Sequence, residues 1–292
     1  MHVATLLTNP ARPMLERATV EALRNAWGGG NAIWLDPGVA AEFTLAAVPA
    51  NLWQVWEGLQ GLGVDLVVQK AEGRRKRLLL ADMDSTMIEQ ECIDELADEA
   101  GVGAYVAGIT ARAMNGELDF EAALRERVAM LKGLPESVIE QVFTNRITCM
   151  PGGRELVATM KAHGGHAALV SGGFTAFSIR VAAALGFDEH RANVLQVEAG
   201  VLTGTVAEPI LGRDAKLRAL EDICAMLRIT PAEAMAVGDG ANDLGMLTRA
   251  GAGVALHAKP SVAAKCDIRI NHGDLTALLY IQGYDRAAFA GV

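Results

Sequence analysis

Residues 77–86 read Arg77-Leu78-Leu79-Leu80-Ala81-Asp82-Met83-Asp84-Ser85-Thr86, and this stretch decides the fold. Leu78 to Ala81 is a short, continuously apolar run without alternation, the pattern of a strand buried on both faces of a parallel sheet. It ends in two carboxylates. Ions placed beyond such a strand are costly unless they are paired or hold a metal. Alone, Asp82 and Ser85 would read as a turn or a helix cap. Other strand ends change that reading.

Similar apolar runs recur at His166–Val170, Ala234–Val237 and Gly253–Leu256, with a weaker one at Ile268–Ile270. Helical patterns separate them, over 154–163, 174–185, 216–227, 242–250 and 260–265. The alternation predicts an α/β fold, a Rossmann-like doubly wound parallel sheet whose ligands sit at the carboxyl ends of the strands. Residues 89–148 break the alternation with helical patterns and no convincing strand, so an inserted helical cap over the strand ends is expected there. Residues 193–206 read as a hairpin around Glu198-Ala199-Gly200.

Upstream of the decisive strand the texture differs. His2–Thr8, Ala32–Leu35, Glu42–Ala47 and Val64–Gln69 read as strands, with helices over 12–27 and 52–62. The order βαββαβ is that of a ferredoxin-like sandwich. The expected organisation is therefore an N-terminal domain over 1–70, a polar, basic linker over 71–76, and a core over 77–292.

Composition agrees with two domains. The chain has 292 residues, about twice the 150 or so of a common domain. Its 26 Lys and Arg against 35 Asp and Glu leave a net charge of −9. That balance argues against nucleic acid and anionic membranes, since phosphate backbones need clustered cations. The one basic cluster, Arg74-Arg75-Lys76-Arg77, is too short to reverse it. No run approaches the roughly 18 apolar residues of a membrane span, and Met1–Pro10 lacks the pattern of a signal peptide. Cys92, Cys149, Cys224 and Cys266 lie far apart, as reduced thiols of a cytoplasmic protein would.

Three further segments carry chemistry. Ser171-Gly172-Gly173 follows one apolar run, and a small hydroxyl beside glycines can offer N–H groups to an anion. Gly238-Asp239-Gly240-Ala241-Asn242-Asp243 follows another, a hard-oxygen set suited to Mg²⁺. Its glycines lack dinucleotide spacing, and no glutamate closes a calcium loop. Lys216 opens a helical pattern and could supply a fixed positive charge. Together these are the parts for phosphoryl transfer through an aspartyl-phosphate.

In order and spacing, DMDST, SGG, Lys216 and GDGAND resemble the four motifs of the haloacid dehalogenase superfamily of phosphatases over residues 77–270. The resemblance implies Asp82 as nucleophile and Asp84 as general acid and base. It implies Mg²⁺ on the Asp82 side chain, the Asp84 carbonyl and Asp239, with Asp243 acting through water. Ser171, Gly172 and Lys216 would then hold the transferring oxygens. Within the superfamily the chain is similar to the phosphoserine phosphatases, with Glu91, Met114, Phe120 and Arg127 at their substrate positions. That similarity implies Glu91 toward an ammonium, Arg127 toward a carboxylate, and Asn242 near the substrate or phosphate. Hydrolysis of O-phospho-L-serine in the last step of serine synthesis is the expected reaction. Transfer of the phosphoryl group to another alcohol, a broader phosphomonoesterase and a receiver-like signalling module are the alternatives. The N-terminal unit resembles an ACT-like extension, for which amino-acid sensing and a structural role in a homodimer both stay open.

Overall fold

The computed structural model describes residues 1–291. Strands β1 (His2–Leu7), β2 (Ile33–Asp36), β3 (Ala40–Leu45) and β4 (Asp65–Lys70) form one sheet in the order β2-β3-β1-β4. Every neighbouring pair is antiparallel. Helices α1 (Arg17–Ala26) and α2 (Leu52–Gln60) complete the expected βαββαβ order. Helix α1 starts well after the expected Arg12. Pro13 disfavours helical backbone at Arg12, and the helix forms only after an extended Glu16.

The second sheet is built from β5 (Leu78–Ala81), β6 (His166–Phe174), β7 (Glu189–Asn193), β10 (Ala234–Gly238), β11 (Ala252–Leu256) and β12 (Ile268–Ile270). Between β7 and β10, strands β8 (Leu195–Glu198) and β9 (Val201–Val206) pair as the expected hairpin. The six strands are parallel, in the order β12-β11-β10-β5-β6-β7. Strand β7 is the one that sequence pattern misses. Glu189-His190-Arg191-Ala192-Asn193 has no apolar run, because an edge strand need not be buried on both sides. Central β5 is the opposite case. Leu79 and Ala81 enter one apolar cluster, while Leu78 and Leu80 enter another with Leu220 and Ile223. Each fully buried Leu contributes about 1.5–3 kcal/mol.

Helices α3 (Cys92–Glu99), α4 (Gly103–Met114), α5 (Phe120–Ala129) and α6 (Ser137–Arg146) fill the insertion between β5 and α7 (Gly153–Ala162). This is the helical cap, and its first helix begins one residue after Glu91. Helix α8 (Thr175–Leu185) follows β6, and α9 (Arg213–Leu227) begins three residues before Lys216. The helix expected over 242–250 divides into a 3-10 turn at Ala241–Asp243 and α10 (Leu244–Arg249). No helix among the described residues is long and apolar enough to cross a membrane.

The N-terminal sheet is fastened to the core. Leu7, Leu35, Val39, Ala40 and Val67 share an apolar cluster with Leu278 and Tyr280. Asp65, fully buried, accepts backbone N–H bonds from Asn271, His272 and Gly273 at 2.8–2.9 Å. Arg74, in the segment between the sheets, donates to both oxygens of Glu42 at 2.6 and 3.0 Å.

Candidate active site

Parallel pairing sets Ala81 beside Leu169 on one side and Val237 on the other. The residues that follow these three positions therefore emerge together. Asp82 donates its backbone N–H to Val237 O at 3.0 Å. Asp82 is 3% exposed, and Asp239, Asp243 and Lys216 are at most 1% exposed. The Lys216 ammonium lies 2.6 Å from Asp82 Oδ1 and 2.6 Å from Asp243 Oδ1. Gly238 is required beside them, since a Cβ there would overlap the Asp243 carboxyl. Thr86 Oγ1 donates to Asp239 Oδ1 at 3.3 Å.

One lysine does not neutralise three buried acids. Burial, with the Asp243 and Asp239 charges added, pushes the Asp82 carboxyl well above the usual range despite Lys216. Burial and Asp243 likewise push Asp239 up to about 7. Burial works against the Lys216 charge, but the Asp243 and Asp82 carboxylates outweigh it and hold the ammonium above its ordinary value. Carboxylate oxygens of Asp82, Asp239 and Asp243 lie within 4.8 Å of one another. Three hard oxygen donors with excess negative charge fit a divalent cation such as Mg²⁺. Asp84 stands outside this cluster by its side chain, and Asp243, expected to act through water, stands within it.

The Asp84 carboxylate turns the other way. Its Oδ1 accepts the Cys92 N–H at 2.8 Å, and its Oδ2 accepts the Ser171 hydroxyl at 3.1 Å. Gly173 N–H donates to Ser171 Oγ at 2.8 Å, which fixes the hydroxyl at the end of β6. A Cβ on Gly172 would stand 2.7 Å from the Phe120 ring, so glycine lets the cap close against this turn.

Above these groups a cavity is lined by Asp82, Asp84, Glu91, Met114, Phe120, Arg127, Ser171, Gly172 and Asn242. Glu91, partly buried, accepts the Ser85 hydroxyl at 2.7 Å. Burial, then the Asp84 and Asp239 charges, push its carboxyl well up. Arg127 is 5% exposed, and among the described residues its guanidinium bonds only to Ala123 O and Thr110 Oγ1. Burial lowers its pKa from the ordinary value, while Glu91, Asp94 and Asp84 resist that change. Among the described residues, neither Glu91 nor Arg127 has an ion-pair partner within 4.0 Å. Among the described residues, the buried Asn242 Oδ1 has no hydrogen-bond partner. The structure thus gathers every residue singled out in the sequence around one cavity or onto the acid cluster beneath it.

Sequence reasoning missed the groups that hold this constellation in place. Ser85 adopts a left-handed φ of 55°, which aligns its hydroxyl with Glu91. Thr110 and Asp94 support Arg127 from two other cap helices. Ordinary Ser and Thr on helical or turn patterns give no signal of such work, although Ser85 lies inside a quoted motif.

Fold and site together define a class, and comparison with known proteins agrees. The chain belongs to the haloacid dehalogenase-like hydrolase family, whose model matches residues 79–248. Its relatives within that family are more specific. A phosphoserine phosphatase of Albidiferax ferrireducens is 48% identical over 208 residues, which are 70% of this chain and 88% of that protein. A substrate-bound phosphoserine phosphatase complex superposes with a TM-score of 0.68 at 42% identity, covering 70% of this chain and 98% of the other. A haloacid dehalogenase family hydrolase from Salmonella enterica serovar Typhi matches 97% of this chain and 99% of its own, with a TM-score of 0.85 at 30% identity.

Proposed function

We propose that this chain is a phosphoserine phosphatase, hydrolysing O-phospho-L-serine to L-serine and phosphate with Mg²⁺. The observation that carries the reading is the pair Glu91 and Arg127. A carboxyl group and a guanidinium, both drawn out of water and, among the described residues, both without an ion-pair partner, line one cavity above Asp82 and Asp84. Buried charges left so are costly. A ligand with an ammonium, a carboxylate and a phosphate satisfies all of them at once. The orphaned Asn242 Oδ1 adds an acceptor suited to the ammonium or to a phosphate-bound proton donor.

Asp82 Oδ1 is engaged by Lys216 and by the Met83 N–H, which leaves Oδ2 to attack phosphorus. The P–O bond to the serine oxygen breaks, and Asp84 delivers a proton to that leaving oxygen. Asp84 then removes a proton from water, which attacks the aspartyl-phosphate and regenerates Asp82 as phosphate departs. Ser171, the Gly172 N–H and Lys216 stabilise the charge on the transferring oxygens. Asp82, Asp239 and the Asp84 carbonyl would hold Mg²⁺, with Asp243 at its flank. The cation would offset the repulsion between the carboxylate cluster and the phosphate.

The charge of −9 and the four free cysteines support a cytoplasmic enzyme acting on a free small molecule, without nucleic-acid or membrane partners. The test is phosphate release from a panel of phosphomonoesters with Mg²⁺ and with EDTA. A strong preference for phosphoserine, lost on chelation, is expected. Equal rates on sugar phosphates, or activity indifferent to chelation, would refute the reading.

A further inference from the structure

The buried arginine of the cap is held by a hydroxyl and not by an acid. Arg127, on α5, donates from Nε to Ala123 O at 3.1 Å and from Nη1 to Thr110 Oγ1 at 3.0 Å. Thr110 is on α4, is 3% exposed, and donates to Asp94 Oδ1 on α3 at 2.6 Å. Its hydroxyl also lies 3.1 Å from Val106 O, one turn back on its own helix. A hydroxyl has one proton, and the nearer, charged acceptor takes it. The oxygen lone pair then faces Arg127. Among the described residues, Nη2 has no protein hydrogen-bond partner, and Arg127 lines the cavity.

An acid bonded directly to Arg127 would occupy its donor fork and neutralise the charge that a ligand carboxylate needs. The interposed hydroxyl avoids this. It fixes the guanidinium plane with a neutral acceptor, while Asp94 acts one bond further away. A threonine serving its helix alone would be satisfied by Val106 O, as such side chains commonly are. The short bond to Asp94 therefore has another consequence, the orientation of the hydroxyl.

We propose that Thr110, turned by Asp94, is a positioning residue that aims Arg127 at the substrate carboxylate and leaves its charge available. The relay then sets selectivity for amino-acid phosphates without touching the substrate. This inference rests on the phosphoserine reading. It is tested by kcat and KM for O-phosphoserine and for O-phosphoethanolamine, which lacks the carboxylate, in the unaltered protein and in Thr110→Val, Thr110→Ser and Asp94→Ala.

Thr110→Val should raise KM for phosphoserine about tenfold, the worth of one hydrogen bond to a charged group, with kcat little changed. The phosphoethanolamine constants should stay close to those of the unaltered protein. Thr110→Ser should restore the preference, and Asp94→Ala should weaken it in the same direction as Thr110→Val. A Thr110→Val protein that keeps the full preference, or loses both substrates in proportion, would overturn the inference alone. Should that variant fail to fold, Asp94→Ala carries the same comparison. If the unaltered protein shows no preference for phosphoserine, the functional reading falls and the inference falls with it.

Discussion

The core and the cap handle charge in opposite ways. At the strand ends a buried cation ties acids together: Lys216 bridges Asp82 and Asp243, while Thr86 holds Asp239, and Ser171 and the Cys92 N–H hold Asp84. In the cap, among the described residues, the Glu91 and Arg127 side chains are held only by hydroxyls and a carbonyl. The core is thus preorganised before any ligand arrives, as electrostatic catalysis requires. The cap keeps its two charges unpaired, and that open demand selects the ligand. Chemistry and selection are divided between a sheet and an insertion.

The largest effect should follow from breaking the core's nucleophile. Asp82→Asn should lower turnover by on the order of 10⁴-fold or more, with an unchanged circular dichroism spectrum. Near-normal phosphate release would end the nucleophile assignment. Lys216→Ala tests the mutual holding directly. It leaves two buried carboxylates without their cation, and should cost about 3–5 kcal/mol of stability in denaturant unfolding, in addition to lost activity. If the variant unfolds like the unaltered protein, the core is not organised around that lysine.

The cap should respond differently. Arg127→Ala should reduce kcat/KM for phosphoserine by about 10–100-fold while leaving stability nearly unchanged, because this arginine has no carboxylate partner to strand. A large loss of stability would mean that Arg127 is structural, and the contrast with Lys216 would disappear. Asp65, at the seam with the N-terminal sheet, is a control outside both regions. Asp65→Ala strands three backbone donors and should cost about 1–3 kcal/mol for each that stays buried, without altering KM. A changed KM would make the N-terminal sheet part of the site.

How much was legible from sequence follows the same division. Continuous apolar runs exposed the central strands and placed the motifs of Asp82, Ser171 and Asp239 at their ends, while the part given to each residue came from the resemblance. Strand β7 escaped because its polar sequence suits an edge. The sequence offers Lys216 only as a fixed positive charge at a helix start, because nothing local reveals that the ends of β5 and β10 place two acids around it. Arg125 and Arg127 are the sharpest case, two residues apart with the same chemistry. Arg125 is half exposed and pairs with Glu121 and Glu208, whereas Arg127 turns inward without an acid. Only the resemblance to known phosphatases separated them before the helix phase was known. The seam held by Asp65 was not legible, since it depends on a loop some 206 residues away in sequence.

The division between chemistry and selection is tested most directly by phosphate release from three esters that differ only around the reacting group. These are O-phosphoserine, O-phosphoethanolamine without the carboxylate, and 3-phosphooxypropionate without the ammonium. The unaltered protein should prefer phosphoserine over both by at least about tenfold. Arg127→Ala should erase only the first preference and Glu91→Gln only the second. Equal kcat/KM for all three esters in the unaltered protein would contradict the account.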